Sequence, residues 1–331
     1  MSRPIRSEFE IIERLKERCQ TSAVVRLGIG DDCAMLRLPP GEMLLTTTDM
    51  LVEGIHFRRD WTGLLSLGRK SAAVNLSDLA AMGATPRALF LALAIPADLA
   101  PADLDLFFEG FLEVCHANGA VLAGGDTCAS QSGLSICITA LGSSPEAMVI
   151  RRDGAEPGDD IYVTGTLGAS ALALQNLIAG ATPSPELLKR HLEPTARVEV
   201  GQALAAAGSA TAMIDVSDGL LADLGHILKA SEVGAGIDVE RLPLSPALPT
   251  TGEDDSVLFD LALTGGEEYE LLFTAAPAAQ EEIARIAQES LLPITRIGKI
   301  LRSGADLQLE HAGKPYPLPA HKGYKHFSDG A

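Results

Sequence analysis

The chain has 331 residues, with 26 Lys and Arg against 44 Asp and Glu, for a formal net charge of −18. Hydrophobic residues make up 47% and charged residues 21%, a globular composition and not a disordered one. The acidic surplus excludes a general affinity for nucleic acid or anionic membranes, both of which select basic surfaces; it does not exclude a small anion bound through metal ions.

At about 100–200 residues per domain the length predicts two domains. Residues 1–20 mix Arg, Glu and Lys and lack the apolar core of a secretion signal. The most apolar stretch, Ala88 to Ile95, has the length of a strand, whereas a membrane helix needs about 20 apolar residues. Cys19, Cys33, Cys115, Cys128 and Cys137 include no C-x-x-C pair. They are expected to be buried apolar side chains of a reduced, cytoplasmic protein.

In chain order, Ser7 and Glu10 form a capping box that opens a helix with Phe9, Ile12 and Leu15 at helical spacing. Met43 to Thr48 reads as a strand ending at Asp49. Leu65 to Met82 reads as a helix stopped by Gly83 and Pro86. Strand Ala88 to Ile95, helix Asp103 to Ala117, strand Ala120 to Ala123 running into Gly124-Gly125-Asp126, and strand Leu134 to Leu141 follow. Turn-rich sequence around Ser143-Ser144-Pro145 and Glu156-Pro157-Gly158 places a domain junction near residue 150, giving domains 1–150 and 151–331. The second half gives strand Asp160 to Thr164, a helix opened by Gly165 to Gly168, and helices Pro185 to His191 and Thr195 to Ala207. Strand Ala212 to Val216, helix Asp218 to Ala230, and strands Gly236 to Val239 and Tyr269 to Thr274 come next. Helix Pro277 to Glu289 and strand Ile294 to Ile300 complete the series. Both halves mix strands and helices, so the fold class is α/β (α+β) with two domains.

Acidic residues gather beside glycines or polar residues at the expected strand ends. They are Gly28-Ile29-Gly30-Asp31-Asp32, Thr47-Thr48-Asp49, Asn75-Leu76-Ser77-Asp78, Gly124-Gly125-Asp126, Asp215-Val216-Ser217-Asp218-Gly219 and Gly265-Gly266-Glu267-Glu268. Strand ends are where α/β sheets present ligands. Glycine exposes amide N–H groups to anions, and carboxylates there can hold Mg²⁺ against phosphates. Singly, each stretch is also an ordinary turn or helix cap; jointly they indicate a metal and phosphate site.

The common nucleotide motifs are absent. Neither Gly298-Lys299-Ile300 nor Gly313-Lys314-Pro315 satisfies G-x-x-x-x-G-K-S/T. Gly28-x-Gly30 is followed by Cys33, so the dinucleotide fingerprint is incomplete, and Asp215 to Asp223 lacks the EF-hand spacing. Asn75 and Asp78 share one helix face by their i, i+3 spacing, either as a solvated polar stripe or as a buried functional one. His56 follows Glu53-Gly54-Ile55 just after the Asp49 strand end, where spacing alone gives it no role beyond a structural or solvated histidine, and Arg151-Arg152 is either a surface turn or a guanidinium fork on phosphate.

Taken in order, these stretches resemble the thiamine-monophosphate kinase family, within the aminoimidazole ribonucleotide synthetase-like superfamily. The matching residues run from Gly28-Ile29-Gly30-Asp31-Asp32-Cys33-Ala34 to Gly323-Tyr324-Lys325-His326-Phe327, nearly the whole chain. They include Thr48 to Phe57, Val74 to Gly83, Gly124 to Thr127, Gly158 to Gly165, Ile214 to Leu220, Asp223 to Ile227 and Gly265 to Leu271. The resemblance implies ATP-dependent phosphorylation of thiamine monophosphate to thiamine diphosphate, with several Mg²⁺ ions. It also implies an N-terminal mixed-sheet domain that forms a homodimer through its sheet, and a C-terminal α/β domain that completes the active site.

Carried over by motif, Asp32, Thr47, Thr48, Asp49, Asp78, Asp126, Asp215 and Asp218 would be metal ligands. Gly125, Asp126, Arg152 and Ser217 would contact ATP, with Arg151 the alternative to Arg152. His56, Glu267 and Tyr324 would contact thiamine monophosphate. The nucleophile is then the substrate's own anionic phosphate oxygen, so no catalytic base is required. The cationic thiazolium suits an acidic or aromatic neighbour, a role open to Glu267 and Tyr324. The alternatives are a superfamily enzyme using ATP on a carbonyl, amide or selenide substrate, and a nucleotide-sensing protein without catalysis.

Overall fold

The computed structural model describes residues 8–19, 22–249, 256–304 and 306–324. The Ser7 side of the first capping box and the Lys325-His326-Phe327 end of the last motif lie outside them. The chain forms two compact units, residues 1–79 with 84–147, and residues 80–83 with 148–331.

The first unit begins with α1 (Glu8–Arg18), β1 (Val25–Leu27) and β2 (Met35–Leu36), the last two an antiparallel pair. Then come β3 (Glu42–Val52), α2 (Leu64–Ala81), β4 (Thr85–Pro96), α3 (Pro101–Ala117), β5 (Val121–Ser130) and β6 (Ser135–Pro145). The main sheet has the order β3-β6-β4-β5. Its neighbours are antiparallel except for β4 and β5, which α3 joins as a parallel pair. Leu45 and Leu51 of β3, Ile136 and Ile138 of β6, and Leu91 and Leu93 of β4 are buried on one face. The alternate residues Leu44, Thr46, Thr48 and Met50 are exposed, the period-2 pattern of a sheet packed on one side.

Two expected strand ends are not ends. β3 continues past Asp49 to Val52, paired with β6 along all eleven residues. β5 continues through Gly124-Gly125-Asp126 to Ser130, paired with β4. Asp and Gly read as terminators locally, but ladder pairing with a buried neighbour overrides that preference. The Asn75 stripe is not solvated either: Ser71, Asn75 and Ser77 of α2 are buried. Cys115 is buried as expected, whereas Cys33 and Cys128 are exposed.

α2 and α3 cross through two glycines. A Cβ on Gly68 would lie 2.0 Å from the Phe107 carbonyl oxygen, and one on Gly110 would lie 2.0 Å from that of Leu65. Each glycine thus admits the other helix's backbone. Phe107 and Phe111 stack beside the crossing with ring centroids 6.2 Å apart. Gly110→Ala should therefore destabilise the protein by about 2 kcal/mol or more, the overpacking cost exceeding the helix-propensity gain of roughly 1 kcal/mol. A urea midpoint lowered at constant m-value would show this; an unchanged midpoint would refute the tight crossing.

The second unit runs β7 (Asp160–Thr164), α4 (Ala169–Ile178), α5 (Pro185–Leu192), α6 (Val198–Ala207), β8 (Ala212–Asp215), α7 (Leu220–Ser231) and β9 (Gly234–Asp238). It continues with α8 (Ser256–Thr264), β10 (Leu271–Ala275), α9 (Gln280–Glu289), β11 (Ile294–Leu301), β12 (Leu307–His311) and β13 (Lys314–Tyr316). Its sheet has the order β13-β12-β9-β11-β7-β10-β8, with only β12 and β9 parallel. Ile161, Val163, Ile214, Leu224, Ile237 and Leu272 belong to one buried core. β7 matches its expected bounds. The helix expected from Thr195 begins at Val198, that from Asp218 begins at Leu220, and that from Pro277 opens with a 3₁₀ turn before Gln280. Among the described residues no helix is long and apolar enough to cross a membrane.

Candidate functional site

In the first unit, strand periodicity sorts the expected metal ligands into two groups. Thr47 and Asp49 point to the packed face of β3, toward α2 and its Asp78. Thr47 Oγ1 donates a hydrogen bond to Asp78 Oδ2. Asp49 lies close enough to Asp78 that burial, followed by the charge of Asp78, pushes its carboxyl up to about 6. Asn75 Oδ1, on the same helix face as Asp78, is buried without a hydrogen-bond partner among the described residues.

Thr48 belongs to the opposite, exposed face, where its hydroxyl lies 2.9 Å from that of Thr139. Asp126 is on that face too. The pairings Asp49–Ile138–Leu91–Gly125 form one row across the sheet, so Asp126, one residue further, turns the other way. Three strand spacings separate β3 from β5, about 14 Å. Gly125 has a structural requirement of its own, because a Cβ there would lie 1.9 Å from the Leu91 carbonyl oxygen. Asp32 is exposed in the loop after β1, its amide donating to Asp31 Oδ1 at 2.8 Å.

His56 sits in the turn after β3. Its Nδ1 accepts the Val52 amide at 3.0 Å. In a neutral ring this leaves the proton on Nε2, making that atom a donor.

The second unit brings together residues far apart in sequence. The loop after β8 holds Ser217, Asp218 and Gly219. All three amides donate to one oxygen, Asp223 Oδ2, at 3.0, 3.1 and 3.0 Å. Asp223 is buried, and burial outweighs those hydrogen bonds to push its carboxyl up to about 7. The Glu267 amide donates to Ser217 O at 2.7 Å, and the Tyr324 amide donates to Asp218 O at 3.0 Å. Ser217, Asp218, Glu267 and Tyr324 thus share one built loop cluster, with Asp215 buried at the end of β8 beneath it. Arg151 is engaged with Asp153, at 3.0 Å from Nε and 2.5 Å from a terminal nitrogen. Arg152 is exposed.

Under this cluster lies an ionic network the sequence did not signal. Glu268 and Glu270 are buried. Arg197 forks onto Glu270 with contacts of 2.7 and 2.5 Å, and Arg190 reaches both Glu268 and Glu270, at 3.2 and 3.0 Å. Glu268 also accepts the amides of Gly168 and Ser170.

Sequence comparison places the chain among known proteins. Residues 30–144 match the N-terminal domain of AIR synthase related proteins, and residues 156–309 match the C-terminal domain. The thiamine-monophosphate kinase of Escherichia coli (strain K12) is 43% identical over 328 residues, 97% of this chain and 98% of the relative. The chain belongs to the thiamine-monophosphate kinase family. The Bacillus subtilis (strain 168) thiamine-monophosphate kinase is 31% identical over 97% of this chain and 99% of its own length. The crystal structure of the Stenotrophomonas maltophilia K279a thiamine-monophosphate kinase superposes with a TM-score of 0.83 at 40% identity, covering 96% of this chain and 100% of that one. AaThiL complexed with AMPPCP and TMP superposes with a TM-score of 0.74 at 32% identity, covering 97% of each chain. The expected superfamily and two-domain α/β class are therefore correct.

Against the family's chemistry, the first unit provides hard oxygen donors. Among the described residues no three His, Cys, Asp or Glu side chains converge as a metal cage. What converges is the Asp49–Asp78 pair with Thr47, whose mutual repulsion a cation would relieve, and the unpartnered Asn75 oxygen on the same helix face. Such a donor set fits Mg²⁺, which binds through one or two carboxylates and completes its shell with water and phosphate oxygens.

Proposed function

We propose that this member of the thiamine-monophosphate kinase family transfers the γ-phosphoryl group of ATP directly, in line, to the phosphate of thiamine monophosphate, giving thiamine diphosphate and ADP. The observation that carries the reading is the full-length match to thiamine-monophosphate kinases, supported by AaThiL complexed with AMPPCP and TMP.

Asp32, Thr47, Thr48, Asp49, Asp78, Asp126, Asp215 and Asp218 would hold several Mg²⁺ ions, which when bound offset the repulsion between two polyanions. Of these, Thr47, Asp49 and Asp78 share one side of the first sheet and Thr48 and Asp126 the other, which would suit more than one ion. The chain's own contribution is positioning. Gly125, Asp126, Arg152 and Ser217 contact ATP, Ser217 on a loop whose three amides Asp223 holds in place. The Arg152 guanidinium suits phosphate oxygens. His56 offers Nε2–H to thiamine monophosphate. Glu267 and Tyr324 face its cationic ring. No side chain is assigned as a base, because the attacking phosphate oxygen is already ionised. The protein works in the cytoplasm as a homodimer, joined through the exposed face that carries Leu44 and Met50.

A coupled assay for ADP release tests the reaction. Thiamine monophosphate with MgATP should give ADP and thiamine diphosphate, and unphosphorylated thiamine should give neither. Release of AMP, turnover of thiamine alone, or ATP binding without consumption would overturn the proposal.

A further inference from the structure

α2 carries a buried polar side chain that the fold does not account for. Asn75 is fully buried inside the helix, where its residue type is disfavoured. Its Nδ2 donates to Ser71 O, one turn earlier, at 3.1 Å. A carbonyl only accepts, so this bond fixes which side of the amide is nitrogen and turns Oδ1 away from it. That oxygen has no hydrogen-bond partner among the described residues. Ser71, equally buried, differs: its hydroxyl is satisfied by Leu67 O at 2.7 Å. A buried acceptor left unpaired costs free energy that an apolar side chain would not, so its presence points to a partner.

The sheet shows where the oxygen lies. A Cβ on Gly142 would lie 3.0 Å from Leu79 and 3.2 Å from Ala84, and Gly142 pairs with Leu45 of β3. The C-terminal end of α2 therefore sits at the level of Leu45. Asp78 meets Thr47, the next residue of β3 on the packed face. Moving back along the helix thus follows β3 toward Asp49. Three residues of helix rise about 4.5 Å, and alternate residues of a strand are about 6.8 Å apart. Asn75, three residues before Asp78 and on the same helix face, is carried from the level of Thr47 toward that of Asp49. Asp49 and Asp78 are close enough for their charges to interact.

We infer that Asn75 is a further ligand of the Mg²⁺ ion that Asp49 and Asp78 hold, with Oδ1 as a neutral oxygen donor beside the two carboxylates. The inference rests on the reading of Asp49 and Asp78 as metal ligands. An amide oxygen is a hard donor of the kind Mg²⁺ accepts. A third carboxylate would add to the repulsion in the metal-free protein, whereas an amide supplies a donor without charge.

The test is a titration of the full-length, nucleotide-free protein with Mn²⁺, which takes the same oxygen ligands and whose free ion is read by its EPR signal. The rise in melting temperature on adding Mg²⁺ is measured beside it. Asn75→Leu, nearly the same size without the oxygen, should weaken Mn²⁺ binding at least about tenfold and shrink the Mg²⁺-induced rise. Asn75→Asp, which keeps an oxygen at the same reach, should melt below the parent in chelator and gain more from Mg²⁺ than the parent does. Should Asn75→Leu fail to fold, Asn75→Ala takes its place. A parent-like Mn²⁺ affinity and Mg²⁺ response in the variant without the oxygen would make buried water its partner and overturn the inference. An Asn75→Asp variant that gains no more from Mg²⁺ than Asn75→Leu would overturn it too. Asp49→Asn in the same titration separates the two readings. If it weakens Mn²⁺ binding and Asn75→Leu does not, the inference alone fails. If neither does, the reading of Asp49 as a ligand fails and the inference falls with it.

Discussion

Asp49→Asn is expected to disable the enzyme and stabilise the metal-free protein. The first effect follows from the proposed role of Asp49 as a charged oxygen ligand to Mg²⁺, where charge must be neutralised for transfer between polyanions. A fall in kcat/KM of at least about a hundredfold, with a shifted Mg²⁺ dependence, is expected. The second follows from the folded protein. Burial and the neighbouring Asp78 raise the Asp49 carboxyl from 3.8 to about 6. A carboxyl whose folded pKa is raised costs stability once it ionises. The cost is absent below 3.8, grows between 3.8 and about 6, and is complete above that. In chelator above pH 6, Asp49→Asn should therefore be more stable than the parent by on the order of 2–3 kcal/mol, and the gap should close as pH falls toward the unfolded value. If Asp49 and Asp78 hold Mg²⁺ as proposed, added Mg²⁺ should stabilise the parent more than the variant. Thermal melts across pH, with and without Mg²⁺, read all three. A variant that is inactive yet no more stable in chelator would mean that Asp49 and Asp78 do not share their charge as described.

What was legible in the sequence depended on how local the determining physics is. β7 is a short, wholly buried run and its bounds coincide with expectation. Asp49 and Gly124-Gly125 are locally terminating, so local sequence ends β3 and β5 early, whereas their ladders are set by partners β6 and β4. α8 (Ser256–Thr264) is nine residues and mostly apolar, a run that periodicity cannot assign to helix or strand. The candidate site divides similarly. Acidic and glycine-rich motifs marked Asp49, Asp78, Ser217, Asp218 and Glu267, but not that Thr48 and Asp126 turn to the opposite face from Asp49; the strand register decides that. Asp223 lay inside a recognised stretch, and its role as the acceptor for three loop amides is tertiary. Glu268 and Glu270 carry no local signal of burial, because the arginines that pair with them, Arg190 and Arg197, lie far away in the sequence.

The buried pair also carries the largest expected loss of stability. Arg197, at the start of α6, donates twice to Glu270, which is 0% exposed and also accepts from Thr164 Oγ1 at 2.7 Å. Arg190 divides its charge between Glu270 and Glu268, and even so burial pushes the Glu268 carboxyl up to about 7. One guanidinium therefore does not offset two buried acids. Arg197→Met should cost about 3–5 kcal/mol, because it leaves Arg190 alone to offset two buried acids. Glu270→Gln in the Arg197→Met background should return part of that loss, because a neutral amide needs no counter-charge. The double variant should be more stable than Arg197→Met alone, with a coupling energy of about 1 kcal/mol or more. Urea midpoints of the four proteins read the cycle, and additive losses would show that the fork contributes packing and not charge compensation. The same cycle bears on recognition. Glu267 and Tyr269, at φ +61° and +52°, are interleaved with the two buried acids, so the network holds the backbone that presents Glu267. Arg197→Met should accordingly raise KM for thiamine monophosphate at temperatures where the variant is still fully folded; a variant that melts early yet keeps the parent KM would confine the network to stability.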